Sequence, residues 1–467
     1  MAKFDIGVIA GDERLEKRVK KTADIFEYSL MIFGDAEDLN EEETPLRVLI
    51  IGTGDFKTSA QFEGFLKKIK TKAPDVFKIF IATRDTVKNA KNIAKAQKID
   101  LILNETEIYE TSKPEYIFSQ VVRATYLPIK PQDVVPNTTL LFDIYHLLPQ
   151  QQKFLKFCFK DDLIDQKRSQ KLTEAVELYI HRDDAENFAQ YLQSLPEDGP
   201  EVQTQRCRAR FMALYAAYMR LVFALTEQNL QGSFQLGIAL YEKCKVLAHA
   251  LIKVLEAHPN PWQVVHSSII GDFGSVERGP AVASYAGIVA SKMQLPNVKD
   301  IMICALLSEL GLLFVPTAIA MHVRSDTLEE LTEEQITEYH SYPKRSIAVC
   351  LDRKIQLSPF YRNVIMGIHE RADKTGFPMQ RYGKVIPLES MLLHFAFEVD
   401  RRVSVKMGKA RIDINQAIKD FLVEELEYPS HFEPPFVVML NGVISDSLNG
   451  VAPGSPATPT AAGTKTA

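Results

Sequence analysis

Short apolar runs alternate with amphipathic charged stretches over residues 1–124. Four runs have the length and β-branched character of buried strands, at 4–10, 46–51, 78–82 and 101–103, and a weaker run lies at 30–33. Between them, apolar residues recur at helical spacing near 13–27, 56–72, 84–97 and 112–124. This β-α alternation predicts an N-terminal α/β domain built on a doubly wound parallel sheet.

The pattern changes after residue 124. Residues 125–200 contain three further runs of β-forming residues, at 140–145, 154–157 and 177–180, which predict a small α+β module. A Pro-Glu-Asp-Gly-Pro sequence at 196–200 indicates a break after it.

Apolar residues then recur at spacings of three and four, so residues 205–445 are predicted to form an all-α helical bundle. Residues 446–467 are mostly small and polar, and we expect a disordered tail. With 467 residues in total, the chain is predicted to be a multi-domain protein.

Composition narrows the class of protein further. A net charge of -5 without a long basic run argues against nucleic acid as a partner. No stretch approaches the roughly 18 uncharged apolar residues that a membrane span needs, so no span is expected. The five cysteines are scattered and lack a C-x-x-C pair, which suits reduced thiols in a cytoplasmic protein.

One string in the helical region suggests a family. It runs from His369 to Pro378 as H-E-R-A-D-K-T-G-F-P and is followed by I-P-L-E at 386–389. It resembles the H-H-E-R-x-D-G-x-G-Y-P string and the I-P-L-E helix of the bacterial HD-GYP family, which is related to the cyclic di-GMP phosphodiesterases. The resemblance covers about residues 260–425 and implies an HD-type helical domain.

The resemblance also implies a chemistry that needs metal. HD-GYP enzymes hold two or three iron or manganese ions with histidines and carboxylates, and the ions activate a bridging water that attacks the phosphate. Only His369 remains in register here, with Glu309 as a carboxylate substitute. The vestigial positions are Arg278, Ser308, Glu309, Leu312, Tyr342, Ile368, His369 and Phe397. No metal cofactor and no catalytic residue are therefore expected.

Two alternatives remain open. A rearranged metal set of Glu309, His340, His369 and Asp400 would preserve a phosphodiesterase, although a two-residue shift along a helix rotates a side chain by about 200°. Arg278 would either fill the vacated cavity and pair with Glu309 or hold a phosphate of bound cyclic di-GMP. The second use would make the domain a non-hydrolysing receptor.

The N-terminal elements resemble those of a response-regulator receiver domain. By that resemblance the acidic pair reads Gly11-Asp12, the phosphate-accepting position falls on Gly52, Thr83 is retained and the lysine position is Asn104. Glycine cannot replace a carboxylate nucleophile. We therefore expect a receiver-like domain that is not phosphorylated, with Asp55 as a displaced acceptor being the alternative.

The loop Gly376-Phe377-Pro378 keeps the shape of the family's Gly-Tyr-Pro loop, which has been linked to contacts with partner proteins. Gly and Pro would also fix this turn for folding alone. The sequence predicts a non-catalytic signalling and interaction protein with a protein partner in bacterial signalling. Cyclic di-GMP is a candidate ligand.

Overall fold

The computed structural model describes residues 6–26, 28–39, 46–54, 56–74, 76–82, 89–122, 125–148, 153–174, 178–196, 199–226, 233–269, 275–325, 327–404 and 412–448. Its strands are β1 (Ile6–Ile9), β2 (Leu30–Phe33), β3 (Val48–Ile51), β4 (Phe77–Ala82), β5 (Leu101–Asn104), β6 (Tyr126–Ile129), β7 (Thr138–Thr139), β8 (Ile144–Leu148), β9 (Lys153–Cys158), β10 (Leu163–Ile164) and β11 (Leu178–His181).

Its α-helices up to the start of the HD-like segment are α1 (Glu13–Phe26), α2 (Ser59–Lys72), α3 (Ala90–Ala96), α4 (Glu105–Glu110), α5 (Lys113–Val122), α6 (Gln166–Thr173), α7 (Ala185–Ser194), α8 (Pro200–Thr226) and α9 (Ser233–Ala257). The later ones are α10 (Pro261–Ser268), α11 (Ser275–Lys292), α12 (Val298–Ser308), α13 (Thr317–Ser325), α14 (Glu333–His340), α15 (Tyr342–Asp352), α16 (Pro359–Met366), α17 (Leu388–Val403), α18 (Ile414–Glu427) and α19 (Pro434–Leu448).

The N-terminal region contains the predicted α/β parallel sheet, with strand order β2-β1-β3-β4-β5. Helices α1, α4 and α5 share one core with Val8 and Ile50, while α2 and α3 pack on the opposite face with Leu49 and Ile51. The order 2-1-3-4-5 is the doubly wound order of the flavodoxin-like folds. The receiver identity itself stays a prediction.

The middle region is built on an antiparallel sheet of order β6-β11-β8-β9 beside the short pair β7-β10. The predicted strand at 140–145 was wrong over its first half, because β8 begins only at Ile144. Leu140 instead exchanges backbone hydrogen bonds with the turn at 161–162. Its apolar neighbour Phe142 is fully buried and packs on Phe188 and Tyr191, so these apolar residues anchor a core without forming a ladder.

The C-terminal region is all-helical as predicted, although its first helix begins at Pro200 and not at 205. Helix α11 lies at its centre and packs against α9, α12 and α17. Helix α8 is long and apolar enough, by length and composition alone, to cross a membrane, but most of its apolar stretch is buried inside the structure, which is weakly consistent with the expectation of no span. The last helix, α19, runs to Leu448, and the rest of the predicted tail lies outside the described residues.

The N-terminal domain is joined to the helical domain by polar contacts. The Ser112 hydroxyl donates to the carbonyl of Leu312 at 2.7 Å, and the Ser112 amide donates to the carbonyl of Val315 at 3.1 Å. Lys113, at the start of α5, donates to the carbonyl of Thr226 at 2.7 Å and pairs with Glu107. The start of α5 is therefore held against the segment that follows α12.

Candidate functional site

A buried ion pair lies among the helices at the centre of the helical domain. Arg278 on α11 donates from Nε to both carboxylate oxygens of Asp400 on α17 at 3.0 Å, and from Nη2 to Oδ1 at 2.6 Å. Both side chains are less than a tenth exposed. Arg278 thus fills the core as predicted, but its hydrogen-bonded carboxylate is Asp400 and not the predicted Glu309.

Glu309 follows α12 and lies in the same buried region. Burial, reinforced by the carboxylate of Asp400, raises the pKa of Glu309 well above its ordinary value, although Arg278 acts in the opposite direction. Its Oε2 atom finds no hydrogen-bond partner among the described residues. A raised pKa favours the protonated form of the carboxyl, which is a poor metal ligand because coordination requires the ionised form.

His369, the one in-register histidine, is enclosed by aromatic rings. The hydroxyl of Tyr342, at the family's His-Pro position, hydrogen-bonds to His369 Nε2. The Phe377 ring stacks on His369 with a centroid separation of 4.7 Å, and on His340 with 4.1 Å. Burial lowers the pKa of His369 to about 3, so the ring that is hydrogen-bonded to the Tyr342 hydroxyl is neutral at pH 7.

The remaining vestigial positions are apolar or bonded to the backbone. Leu312 and Ile368 are buried, and the ring of Phe397 packs against His369 at 5.4 Å. The Ser308 hydroxyl donates to the Ala305 carbonyl at 2.8 Å, a local helix contact. The residues present therefore do not fit the family's iron or manganese pair.

The rearranged metal set does not assemble either. Among the described residues, no three of Glu309, His340, His369 and Asp400 bring their ligand atoms within 4.8 Å of one another. Asp400 instead pairs with Arg278, and the rings of His340 and His369 each stack on the Phe377 ring.

The family-like string forms a loop that its own side chains hold in place. The buried carboxylate of Glu370 accepts from the amides of Met379 at 2.7 Å and Arg381 at 2.6 Å. A Cβ at Gly376 would lie 2.4 Å from the Arg371 nitrogen, so no side chain fits there. Several of the motif residues thus have a local structural role, independent of any metal.

A second group of potential ligands was missed by the sequence analysis. His394 and Glu398 on α17 and His431 after α18 place one ligand atom each within 4.8 Å of the others. The H-x-x-x-E spacing of the first two puts them on one helix face and was a usable signal. His431 could not be found in that way, because only the tertiary fold brings it to α17.

Comparisons with known proteins agree with the helical domain. A family model described as the HD domain matches residues 257–428. A cyclic di-GMP phosphodiesterase of Vibrio cholerae serotype O1 is 21% identical over 257 residues, which are 48% of this chain and 51% of that protein. The chain thus spans about half the length of this curated relative.

Among solved structures, an HDG"Y"P protein from Bdellovibrio bacteriovorus is similar with a TM-score of 0.42 and 15% identity, over 68% of this chain and 99% of that one. The segment matched by the HD model contains the string from His369 to Pro378. The chain therefore contains an HD domain at residues 257–428, and this domain carries the string that resembles the HD-GYP motif.

Proposed function

We propose that this chain is a non-catalytic signalling protein in which a degenerate HD-GYP domain serves as an interaction scaffold in cyclic di-GMP signalling. The observation that carries the proposal is the Arg278–Asp400 ion pair. By the family resemblance, Arg278 lies at the position of a metal-ligating histidine. A guanidinium at this place supplies a fixed positive charge but cannot ionise a water molecule.

The surroundings of the ion pair support the same reading. Hydrolysis of a phosphodiester by this family needs a metal-bound hydroxide and a second ion that stabilises the leaving oxygen. Burial raises the pKa of Glu309, which disfavours the ionised ligand that a metal needs, and His369 is already hydrogen-bonded to Tyr342. The ion pair also argues against the alternative that the domain is a nucleotide receptor, because Asp400 already neutralises the Arg278 charge that would bind a phosphate.

The link to cyclic di-GMP comes from the family and from the Vibrio phosphodiesterase. In the scaffold proposal, recognition of another protein replaces hydrolysis as the output of the domain. Exposed apolar residues beyond the Gly376-Phe377-Pro378 loop, namely Met379, Tyr382 and Val385, are compatible with such a contact.

The test is incubation of the full chain with cyclic di-GMP and added Fe²⁺ or Mn²⁺, followed by chromatography for the linear dinucleotide and GMP. We expect no product above a protein-free blank. Turnover that disappears in His369→Ala would refute the proposal, whereas turnover that persists in that variant would indicate a contaminating enzyme. His249→Ala, a histidine on α9 away from the motif, is the matched control.

Calorimetric titration with cyclic di-GMP separates the scaffold from the receptor. We expect no saturable heat. Saturable binding that weakens in Arg278→Ala, with folding verified by circular dichroism, would replace the scaffold proposal with the receptor alternative.

A further inference from the structure

Three side chains form a compact group beside the vestigial site. His394 Nε2 lies 2.7 Å from His431 Nδ1, and one carboxylate oxygen of Glu398 lies within 4.8 Å of both rings' ligand atoms. His394 and Glu398 come from successive turns of α17, while His431 comes from the segment between α18 and α19. None of the three stands at a ligand position that the family resemblance assigns.

His394 is oriented as a metal-binding histidine would be. Its Nδ1 atom lies 2.8 Å from the carbonyl of Ile368, so Nδ1–H donates there and Nε2 keeps its lone pair toward the group. A second hydrogen bond from the far ring nitrogen to a backbone carbonyl is the usual way in which proteins fix a metal-ligating imidazole. His394 itself is buried.

His431 is held by a second buried carboxylate. Glu425 on α18 accepts from the amides of His431 at 2.9 Å and Phe432 at 3.0 Å, and from the Ser430 hydroxyl at 2.9 Å. The His431 carbonyl in turn accepts from the amide of Ala372 at 3.0 Å. The backbone that carries the His431 ring is therefore fixed on both sides.

Burial and neighbouring groups shift the pKa values of the three side chains. Burial lowers the pKa of His394, and burial together with His394 lowers the pKa of His431 to about 3. Burial alone would raise the pKa of Glu398, but His394 and Arg401 lower it to about 2. The group offers two imidazole rings and one carboxylate, and Arg401 donates to that carboxylate at 2.8 Å.

We propose that His394, Glu398 and His431 bind one divalent transition-metal ion, zinc by the chemistry of the ligands. Two histidines and one carboxylate form a three-ligand zinc site that leaves a fourth position open for water or another ligand. The sequence alone predicts no metal cofactor, whereas these three side chains would hold one metal ion.

Binding requires a small local rearrangement. Two nitrogens bound to zinc at about 2.0–2.1 Å in tetrahedral geometry lie roughly 3.3 Å apart, so the 2.7 Å hydrogen bond between His394 and His431 has to open by a few tenths of an ångström. The proton on His431 Nδ1 moves to its Nε2 atom, and no net proton is released. The ion would then connect α17 to the segment that supports the Ala372 loop.

The test titrates zinc into the full chain after treatment with a chelator, followed by gel filtration and elemental analysis. We expect about one zinc per chain and a rise of a few degrees in Tm. His431→Gln and Glu398→Gln are expected to weaken binding at least tenfold. His340→Gln, which removes a partly buried histidine of the rearranged set, is expected to leave the zinc content unchanged.

Zinc that stays bound in both His431→Gln and Glu398→Gln, or that disappears in His340→Gln, would overturn the site. Failure of the parent chain to retain zinc would also overturn it. The variants are compared in their metal-free forms by circular dichroism, so that misfolding is separated from loss of a ligand. Zinc binding without turnover of cyclic di-GMP leaves the scaffold proposal intact, whereas turnover lost in His431→Gln would refute the scaffold and keep the site.

Discussion

Arg278 and Asp400 form a buried ion pair at the centre of the helical domain. Removing two opposite charges from water is expensive, and their attraction recovers this cost only with good geometry. The three hydrogen bonds between them meet that condition. Such a pair adds little net stability to the folded state. Replacing one of its two side chains is nevertheless strongly destabilising, because the other charge is then buried without a partner.

The two buried carboxyl groups, those of Asp400 and Glu309, are expected to differ in how much their replacement destabilises the fold, because Asp400 is ion-paired with Arg278. Asp400→Asn is expected to lower the free energy of unfolding by about 3–5 kcal/mol, because Arg278 then loses its counter-charge. Glu309→Gln is expected to change it less at pH 5, since the raised pKa of Glu309 favours its protonated, uncharged form. Urea unfolding of both variants measures this, and an equal loss in Glu309→Gln would identify Glu309 as the charged partner.

The raised pKa of Glu309 also gives a pH dependence with a defined sign. A carboxyl whose pKa is higher in the folded state contributes its full stability below the unfolded value of about 4.3 and loses it as pH rises toward the folded value. Between pH 5 and 7 the parent should therefore lose stability relative to Glu309→Gln, by up to about 1.4 kcal/mol per pH unit. A difference that does not change with pH would contradict a neutral Glu309.

Gly52 lies at the predicted phosphate-accepting position of the N-terminal domain and has no side chain to phosphorylate. A Cβ at this position would lie 2.2 Å from the Ala10 carbonyl oxygen, so the backbone leaves no room for any side chain there, an aspartate included. Acetyl phosphate is therefore expected to leave the mass of the chain unchanged. Stable labelling that Asp55→Ala abolishes would show a displaced acceptor; residue 55 and the retained Thr83 lie outside the described residues.

At the scale of elements, Gly311 shows how closely α15 approaches the segment after α12. A Cβ on Gly311 would lie 2.1 Å from the Tyr342 carbonyl oxygen and 2.8 Å from the Ser346 nitrogen. The Gly311 amide also donates to the Ser346 hydroxyl at 2.7 Å. Both neighbours are backbone or buried, so they cannot move aside cheaply.

Gly311→Ala is accordingly expected to lower the free energy of unfolding by about 1–3 kcal/mol or more. The matched control is Gly442→Ala in α19, where an added Cβ meets nothing within 4 Å and is expected to stabilise the chain by about 0.5–1 kcal/mol. Thermal unfolding of the two variants provides the comparison. Similar effects would mean that α15 does not pack closely here.

The helices and strands were largely predictable where the spacing of apolar residues along the sequence follows the pattern of buried positions. All five N-terminal strands were placed, because each is an apolar run. Strands β1, β3, β4 and β5 are mostly buried between the two helical layers, whereas the edge strand β2 is only partly buried. The run at 140–145 misled because Leu140 and Phe142 are buried without strand pairing beside them. Strand β6 was missed, since Pro128 breaks its pattern, and proline is acceptable there only because β6 is an edge strand.

At the scale of the whole molecule, the N-terminal domain contacts the chain just beyond the vestigial His-Asp position. Ser112 bonds to Leu312, four residues after Ser308 in the sequence, and Arg18 donates to the Thr317 hydroxyl at 3.1 Å. This contact could not be predicted, because it joins residues that are distant in sequence. For the same reason the sequence identified Arg278 as a core filler but named the wrong hydrogen-bonded carboxylate.

A non-catalytic scaffold requires that an ion pair, and not metal ions, occupies the centre of the helical domain. Anomalous diffraction from crystals of the full chain soaked in Mn²⁺ tests it directly. We predict no anomalous peak among Arg278, Glu309 and His369, with the guanidinium bonded to Asp400. Two peaks about 3.5–4 Å apart at that place, the spacing of a two-metal site, would contradict the account.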